Sequence, residues 1–477
     1  MNRRKFIAAT ALGSAAVLTP DWLKAANAKT EQPDIIYIFT DQQSASMMSC
    51  AGNKWLKTPA MDYIATNGMR FERAYTTNPV CSPARVSFMT GRFPGSFKTA
   101  QGKPARENDG SMSIPQVSDK VAETTIAAFL KKADYELVYG GKKHLPQSLT
   151  PQALDFRMLN IDQRDDLADS CAGFIKEKHA KPYFMVASFI NPHDICYMAL
   201  NGLSFDHPGY PPEKKIGIAQ RTLVQALKLP EGVTEDEFFA KHCPPLPENF
   251  EPQQDEPQAI TSLLTRRKFR MHARKNYSER DWRLHRWAYC RLTELVDRQI
   301  QTLLDALKES GRERDTLIIF SSDHGDMDSA HRSEHKTMLY EEAANIPFMA
   351  MWKGHIPAGR VDKNHLISNG LDLLPTLCDY AGVKGVSDPR GRSLRPLFEG
   401  KSVAWRKTLG VESEIGRMVV DSNKCKYIKY DAVGKEEQLL DLKNDPHEMR
   451  HFTDEPEYAS RLAELRKSFQ SEWFPGQ

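Results

Sequence analysis

The chain of 477 residues lacks any surplus of charge: 65 Lys and Arg stand against 62 Asp and Glu, a net +3. So even a balance excludes a surface built for nucleic acid and leaves room only for a local basic pocket. The apolar run from Phe6 to Leu18 is too short to span a bilayer and has no stop-transfer sequel, which excludes a conventional membrane span there. The eight cysteines, Cys50, Cys81, Cys171, Cys196, Cys243, Cys290, Cys378 and Cys425, are scattered with no Cys-x-x-Cys spacing. That pattern excludes a zinc cluster or a dense disulfide framework, although an exported chain has room for one or two bridges. Internal repeats and low-complexity tracts are absent too, so a solenoid is excluded.

What is present describes an ordinary globular enzyme, with 40% apolar and 27% charged residues. The length allows several domains, and large α/β enzymes commonly use it for one core with a smaller appendage. The N-terminus reads as a targeting segment over residues 1–28. Arg3-Arg4-Lys5-Phe6-Ile7 opens it, the apolar run follows, and Ala26-Asn27-Ala28 offers a cleavage site. Paired arginines resemble a twin-arginine export signal. The expected location is periplasmic or secreted, with no stable membrane insertion once the signal is cleaved.

Four apolar runs share one grammar. Asp34-Ile35-Ile36-Tyr37-Ile38-Phe39 ends in Thr40-Asp41-Gln42-Gln43, and Tyr135 to Tyr139 ends in Gly140-Gly141-Lys142-Lys143-His144. Tyr183 to Phe189 ends in Asn191-Pro192-His193-Asp194, and Thr316 to Phe320 ends in Ser321-Ser322-Asp323-His324-Gly325-Asp326. Each run fits a strand covered on both faces. Pro59 to Asn67 predicts a short helix, and Leu292, Leu295, Val296, Ile300, Leu303, Leu304 and Leu307 predict another. Strands alternating with helices give an α/β fold with a large, doubly wound, mostly parallel sheet, whose ligand site lies beyond the carboxyl ends of the strands. All four polar clusters fall there.

Between about Asn201 and Arg283 the pattern dissolves into Pro-rich, charged sequence such as Pro244-Pro245-Leu246-Pro247, read as a long excursion with some helix. Leu371 to Ala381 predicts a helix. From Lys401 on, Arg417 to Val420, Cys425 to Tyr430 and Glu437 to Leu442 predict short hairpin strands, and Glu457 to Phe469 a helix. The expected division is a catalytic domain over 29–400 and a C-terminal subdomain over 401–477, an antiparallel sheet plus one helix.

Between the first two strands lies Val80-Cys81-Ser82-Pro83-Ala84-Arg85, running on to Thr90-Gly91-Arg92. Taken by itself it is a half-buried cysteine before a helix, capped by Ser82 with Pro83 at the first helical position. Asp41-Gln42 and Asp323-His324 add oxygen-type side chains and an imidazole from two strand ends, suited to a hard divalent cation such as Ca2+.

Cys-x-Pro-x-Arg with the Thr-Gly-Arg continuation resembles the signature of the formylglycine-dependent sulfatases of the alkaline phosphatase superfamily, bacterial polysaccharide and glycosaminoglycan sulfatases among them. Gly141-Lys142-Lys143-His144-Leu145 is similar to that family's Gly-Lys-x-His-Leu element, and Pro192-His193 to its Pro-His. The thirteen-residue step from Asp323 to Lys336, followed by Tyr340-Glu341-Glu342, also matches, as do Asp372 to Leu377, Gly391 to Leu394 and Leu439 to Glu448. Residues 200–285 carry no such match.

The resemblance implies an exported sulfuric ester hydrolase in which a formylglycine-generating enzyme oxidises Cys81 to an aldehyde. One Ca2+ per chain would be held by Asp41, Gln42, Cys81, Asp323 and His324. Gln42 stands where the commonest members have a second Asp, which keeps an oxygen ligand and removes a charge. In the family mechanism one hydroxyl of the hydrated aldehyde attacks sulfur and the other then collapses to release sulfate. Arg85 and Lys142 would favour the alkoxide, and His144 would be the base for the second hydroxyl. His193 and Lys336 would bind sulfate oxygens, one of them protonating the leaving oxygen. Asp194, His331 and Arg332 are expected at the pocket mouth, reading a sulfated carbohydrate, with Arg332 suited to a uronate or second sulfate. Two other readings stay open: a phosphonate monoester or phosphodiester hydrolase of the same superfamily, and a non-catalytic carbohydrate-binding descendant.

Overall fold

Asp34–Asp41 (β1) carries an unbroken apolar run from Ile35 to Phe39 and is buried along its whole length, as a strand with both faces covered must be. The computed structural model describes residues 32–99, 102–106, 117–161, 164–200, 217–385, 388, 390–431, 434 and 436–475. The expected targeting segment and residues 201–216 of the Pro-rich excursion lie outside that set. The chain from Pro33 on forms one unit.

The further strands, in chain order, are Met69–Phe71 (β2), Ala74–Tyr75 (β3), Glu136–Gly141 (β4), Arg157–Asn160 (β5), Tyr183–Pro192 (β6) and Thr316–Ser322 (β7). Phe348–Met351 (β8), Arg360–Asp362 (β9) and Ile367–Ser368 (β10) follow. The large sheet has eight strands in the order β5-β4-β6-β1-β7-β8-β2-β9. Only β8 runs against its neighbours. It is the mostly parallel sheet that the sequence implied.

The pleat of β1 divides the core. Ile35, Tyr37 and Phe39 pack with Val86, Phe88 and Met89 of the Cys81–Thr90 helix and with Leu373, Leu374 and Leu377 of the Asn369–Tyr380 helix. Ile36 and Ile38 face the other way, onto the Pro59–Thr66, Leu167–Lys176 and Glu279–Glu309 helices. The last of these has 31 residues and opens on a capping box between Ser278 and Asp281. It also steadies its neighbour, because the Asp297 carboxylate accepts the first free N–H groups of the Pro59–Thr66 helix, from Ala60 at 3.1 Å and Met61 at 2.9 Å.

One irregularity bears directly on function. The β1–β6 pairing steps from Phe39 opposite Ser188 to Asp41 opposite Pro192, so β6 carries two more residues than β1 over that interval. A bulge of this kind re-aims the strand end. It is followed at once by His193.

Thr408–Glu412 (β11), Gly416–Asp421 (β12), Cys425–Tyr430 (β13) and Glu437–Asp441 (β14) form a separate antiparallel sheet in that order. The Ala459–Trp473 helix lays Leu462, Leu465 and Phe469 on one face, against Val419, Tyr427 and Leu439. The other face, with Met418, Val420, Ile428 and Leu440, packs onto Met338, Leu339 and Tyr340. A buried charge cluster locks this contact: Lys426 Nζ lies 2.6 Å from Glu448 and 2.8 Å from Glu341, and donates to the Leu339 carbonyl at 3.0 Å. Lys426→Met would leave buried carboxylates without their cation, and is expected to cost about 3–5 kcal/mol of unfolding free energy. Urea titration measures this; a shift of the midpoint worth less than about 1 kcal/mol would contradict it.

All eight cysteines are free thiols. Among the described residues no helix is long and apolar enough to cross a membrane.

Candidate active site

The site forms where β1, β4, β6 and β7 end. After β1 the chain turns sharply, and Gln42 takes a left-handed φ of 67°. Such a backbone is unfavourable for a side chain of this type and is held here from two sides. The Asp323 carboxylate accepts the Gln42 N–H at 3.0 Å, and Tyr289 of the long helix donates to the Gln42 carbonyl at 2.6 Å.

Cys81 is the first residue of its helix, preceded by extended Val80, and all ten helix residues are buried. The structure thus starts the helix two residues before Pro83, and the Ser82 hydroxyl makes no capping bond. Pro is tolerated at its actual position because first-turn N–H groups have no partner inside the helix. Gly91 closes the helix with φ 66° and an N–H to Ser87 O of 2.8 Å. Cys81 Sγ therefore sits at the positive end of a helix, 2% exposed.

Around that sulfur the strand ends converge. Ligating atoms of Asp41, Cys81, Asp323 and His324 all lie within 4.8 Å of one another. Cys81 Sγ is 3.1 Å from His324 Nε2 and 3.6 Å from Asp41 Oδ1, and Lys336 Nζ donates to it at 2.9 Å. The same ammonium donates to Gln42 Oε1 at 2.9 Å. Arg85 clamps the two carboxylates, with Nη2 to Asp41 Oδ2 at 2.9 Å and Nε to Asp323 Oδ2 at 3.0 Å, while Nη1 reaches Ser188 Oγ at 2.8 Å. Lys142 Nζ adds 2.5 Å to Asp41 Oδ2. His193 Nε2 stands 4.0 Å from Asp41 Oδ1.

These contacts set the charges. Burial and the Asp41 carboxylate both oppose a thiolate at Cys81, yet Lys142, Lys336 and His324 outweigh them and hold the thiol well below its ordinary range. Burial would likewise raise Asp41, but Lys142, His193 and Arg85 keep it well below the usual carboxylate range. Asp323 is pushed up to about 6 by burial and then by Asp41. Burial, then the Lys142 charge, takes His193 down to about 4.

The remaining expected residues lie differently. His144 is exposed, in the turn after β4, with φ 46°. Asp194 is buried and taken up by Arg164, which donates to its two oxygens at 2.7 and 2.9 Å. His331 is buried with its ring stacked on Tyr340 at 4.2 Å. Arg332 pairs with Glu251 at 2.8 Å and lies over the Phe250 ring. Asp194 and Arg332 thus pair with other residues and not with each other.

Two supporting residues carried too weak a sequence signal to be singled out. Asp326 is buried and accepts the Gln42 amide N–H at 2.6 Å, with His285 Nε2 at 3.3 Å. Its position two residues after His324 was the one available clue; His285 stands on a helix far away in sequence.

Comparison with known proteins follows the same lines. The family profile described as Sulfatase matches residues 33–383, and that described as N-sulphoglucosamine sulphohydrolase, C-terminal, matches 329–473. The chain is 27% identical to the Delta 4,5-hexuronate-2-O-sulfatase of Bacteroides thetaiotaomicron, over 91% of this chain and 88% of that one. It is 25% identical to the N-acetylglucosamine-6-O-sulfatase of the same organism, over 92% and 85%. A solved structure described as a 2-O GAG sulfatase superposes with a TM-score of 0.75 at 23% identity, covering 93% and 92%. The chain belongs to the sulfatase family. It is accordingly a sulfuric ester hydrolase.

Proposed function

We propose that the protein hydrolyses sulfate esters on a sulfated carbohydrate, using a formylglycine made from Cys81 by a formylglycine-generating enzyme, together with one bound Ca2+. The observation carrying this reading is the convergence of Cys81 Sγ, two carboxylates and an imidazole within 4.8 Å, ringed by Arg85, Lys142 and Lys336. The names of the relatives, a hexuronate 2-O-sulfatase and an N-acetylglucosamine 6-O-sulfatase, support a sugar as the bearer of the sulfate. The N-terminal sequence supports export.

The donor set suits a hard cation. Asp41 Oδ1 faces Cys81 Sγ at 3.6 Å, and Gln42 Oε1 shares the Lys336 ammonium with Cys81. Asp41, Gln42, Asp323 and His324 would hold the ion. The hydrated aldehyde would supply a nucleophilic hydroxyl and a second one for release of sulfate, and the ion a positive charge beside them. Arg85 keeps both carboxylates oriented from behind. Lys336 and His193 would hold sulfate oxygens, where negative charge grows in the transition state, and Lys142 beside Asp41 would favour the alkoxide. His193 or Lys336 would donate to the leaving oxygen, and His144, exposed in the turn after β4, would take the proton of the second hydroxyl.

Mass analysis of the peptide holding Cys81 tests the aldehyde: the expected product carries an aldehyde in place of the thiol. Side-by-side kinetics give a second expected outcome, a higher kcat/KM on an aryl sulfate than on a phosphonate monoester. A faster phosphonate reaction would replace the sulfatase reading by the phosphonate one.

A further inference from the structure

Most cations around the site have an acid. Arg85 has Asp41 and Asp323, Lys142 has Asp41, Arg164 has Asp194, Arg274 has Glu256 and Arg332 has Glu251. Arg270 differs. It stands on the Lys268–Asn276 helix, is only 6% exposed, and no carboxylate among the described residues pairs with it. One nitrogen, Nη2, donates to Thr337 Oγ1 at 3.3 Å, while Nε and Nη1 are buried without a hydrogen-bond partner. Burial brings its pKa down to about 10, so the guanidinium keeps its proton at neutral pH.

An unpaired buried cation costs several kcal/mol in desolvation and lost hydrogen bonds. Such a cost is usual where a ligand later supplies the missing charge. The location fits a ligand: Thr337 directly follows Lys336, whose ammonium touches Cys81 and Gln42. The Glu414 carboxylate acts on Arg270 electrostatically without pairing with it, and Cys196, which donates to Gln42 Oε1 at 3.0 Å, and Asp326 do so more weakly. Beside it is His335, buried, its ring 4.9 Å from Phe269, with Nδ1 against Glu334 and Nε2 without a partner.

We propose that Arg270 is the specificity determinant, binding a second oxyanion of the substrate, a carboxylate or a further sulfate, while Lys336 and its neighbours hold the sulfate that is cleaved. This rests on the carbohydrate reading above and narrows it to sugars with two anionic groups. Arg332 differs from Arg270 in that its guanidinium already pairs with Glu251.

The test compares wild type with Arg270→Met, which keeps the stem and removes the charge, and with Arg270→Lys. The substrates are a sulfated disaccharide with a uronate carboxylate, the same disaccharide reduced to the alcohol, and one with a second sulfate instead. On whichever dianionic substrate is turned over, Arg270→Met is expected to lower kcat/KM relative to an aryl sulfate by about 100-fold, mostly through KM, with partial recovery in Arg270→Lys. The free Arg270→Met protein is also expected to melt higher than wild type, because an uncompensated buried charge is gone. An unchanged ratio, or a lower melting temperature with equal losses on every substrate, would overturn the proposal. Should Arg270→Met not fold, wild type decides: loss of the second anion must itself lower kcat/KM by about 100-fold. Wild type that cleaves aryl sulfate but no sulfated sugar overturns the carbohydrate reading, whereas turnover indifferent to the second anion overturns only the role of Arg270.

Discussion

Cys81→Ala is expected to lower turnover by about 10^4-fold or more while leaving the protein folded. The side chain lost is small and lies at the first turn of a helix whose register is set by the apolar residues Val86, Phe88 and Met89. Asp41, Asp323, His324 and the Arg85 clamp do not depend on the sulfur for their contacts with one another. The lost function, by contrast, has no substitute nearby. The Ser82 hydroxyl, next in sequence, is buried and makes no hydrogen bond to the cluster. Turnover of an aryl sulfate, read beside a melting curve, checks both halves. Activity above a tenth of wild type would remove Cys81 from the role of nucleophile precursor.

The second large effect concerns the cation. Asp323→Ala is expected to cut the rate by about 10^2- to 10^3-fold and to lower bound Ca2+, since it removes a charged group of the proposed cation site and leaves Arg85 Nε unpaired in a buried place. It also frees the Gln42 and His324 N–H groups that the carboxylate now accepts. Gln42→Ala should do less. It removes a neutral oxygen and a bond to Asp326, while the turn stays held by Tyr289. Elemental analysis, together with rates before and after exhaustive chelation, measures this. Full activity in metal-free enzyme, or a Gln42 variant worse than the Asp323 variant, would contradict the assignment.

The central strands were legible because they are buried on both faces, and such strands must be written as unbroken apolar runs; the observed β1, β4, β6 and β7 each lie within two or three residues of the expectation. The polar residues following those runs were legible for the same reason, since a parallel sheet presents its strand ends together. The outer strands were not. β2, β8, β9 and β10 have two to four residues each, too few for any period to show, and their pairing depends on contacts across hundreds of residues. β11, Thr408–Glu412, contains a glycine and a single β-branched apolar residue, and was missed beside the three hairpin strands that were expected. Arg270 lies in the Pro-rich excursion, where Arg266-Arg267-Lys268 reads as a charged surface. Only packing distinguishes a solvated arginine from a buried one lacking an acid. Similarly, the sequence shows Asp194 and Arg332 as free charges near a pocket, and only the fold reveals Arg164 and Glu251 as their partners.

The depth of Cys81 has a consequence for how the enzyme comes into being. Its sulfur is enclosed by the first turn of a fully buried helix, two lysines, a histidine and an aspartate. On the reading proposed above, a maturing enzyme has to reach that thiol, and in the folded protein the chain around it is coiled and covered. The time available for the proposed oxidation would therefore be the interval between synthesis and closure of the sheet. On that reading a molecule that closes first would keep its thiol and stay inert, so specific activity in a preparation should follow the race between oxidation and folding.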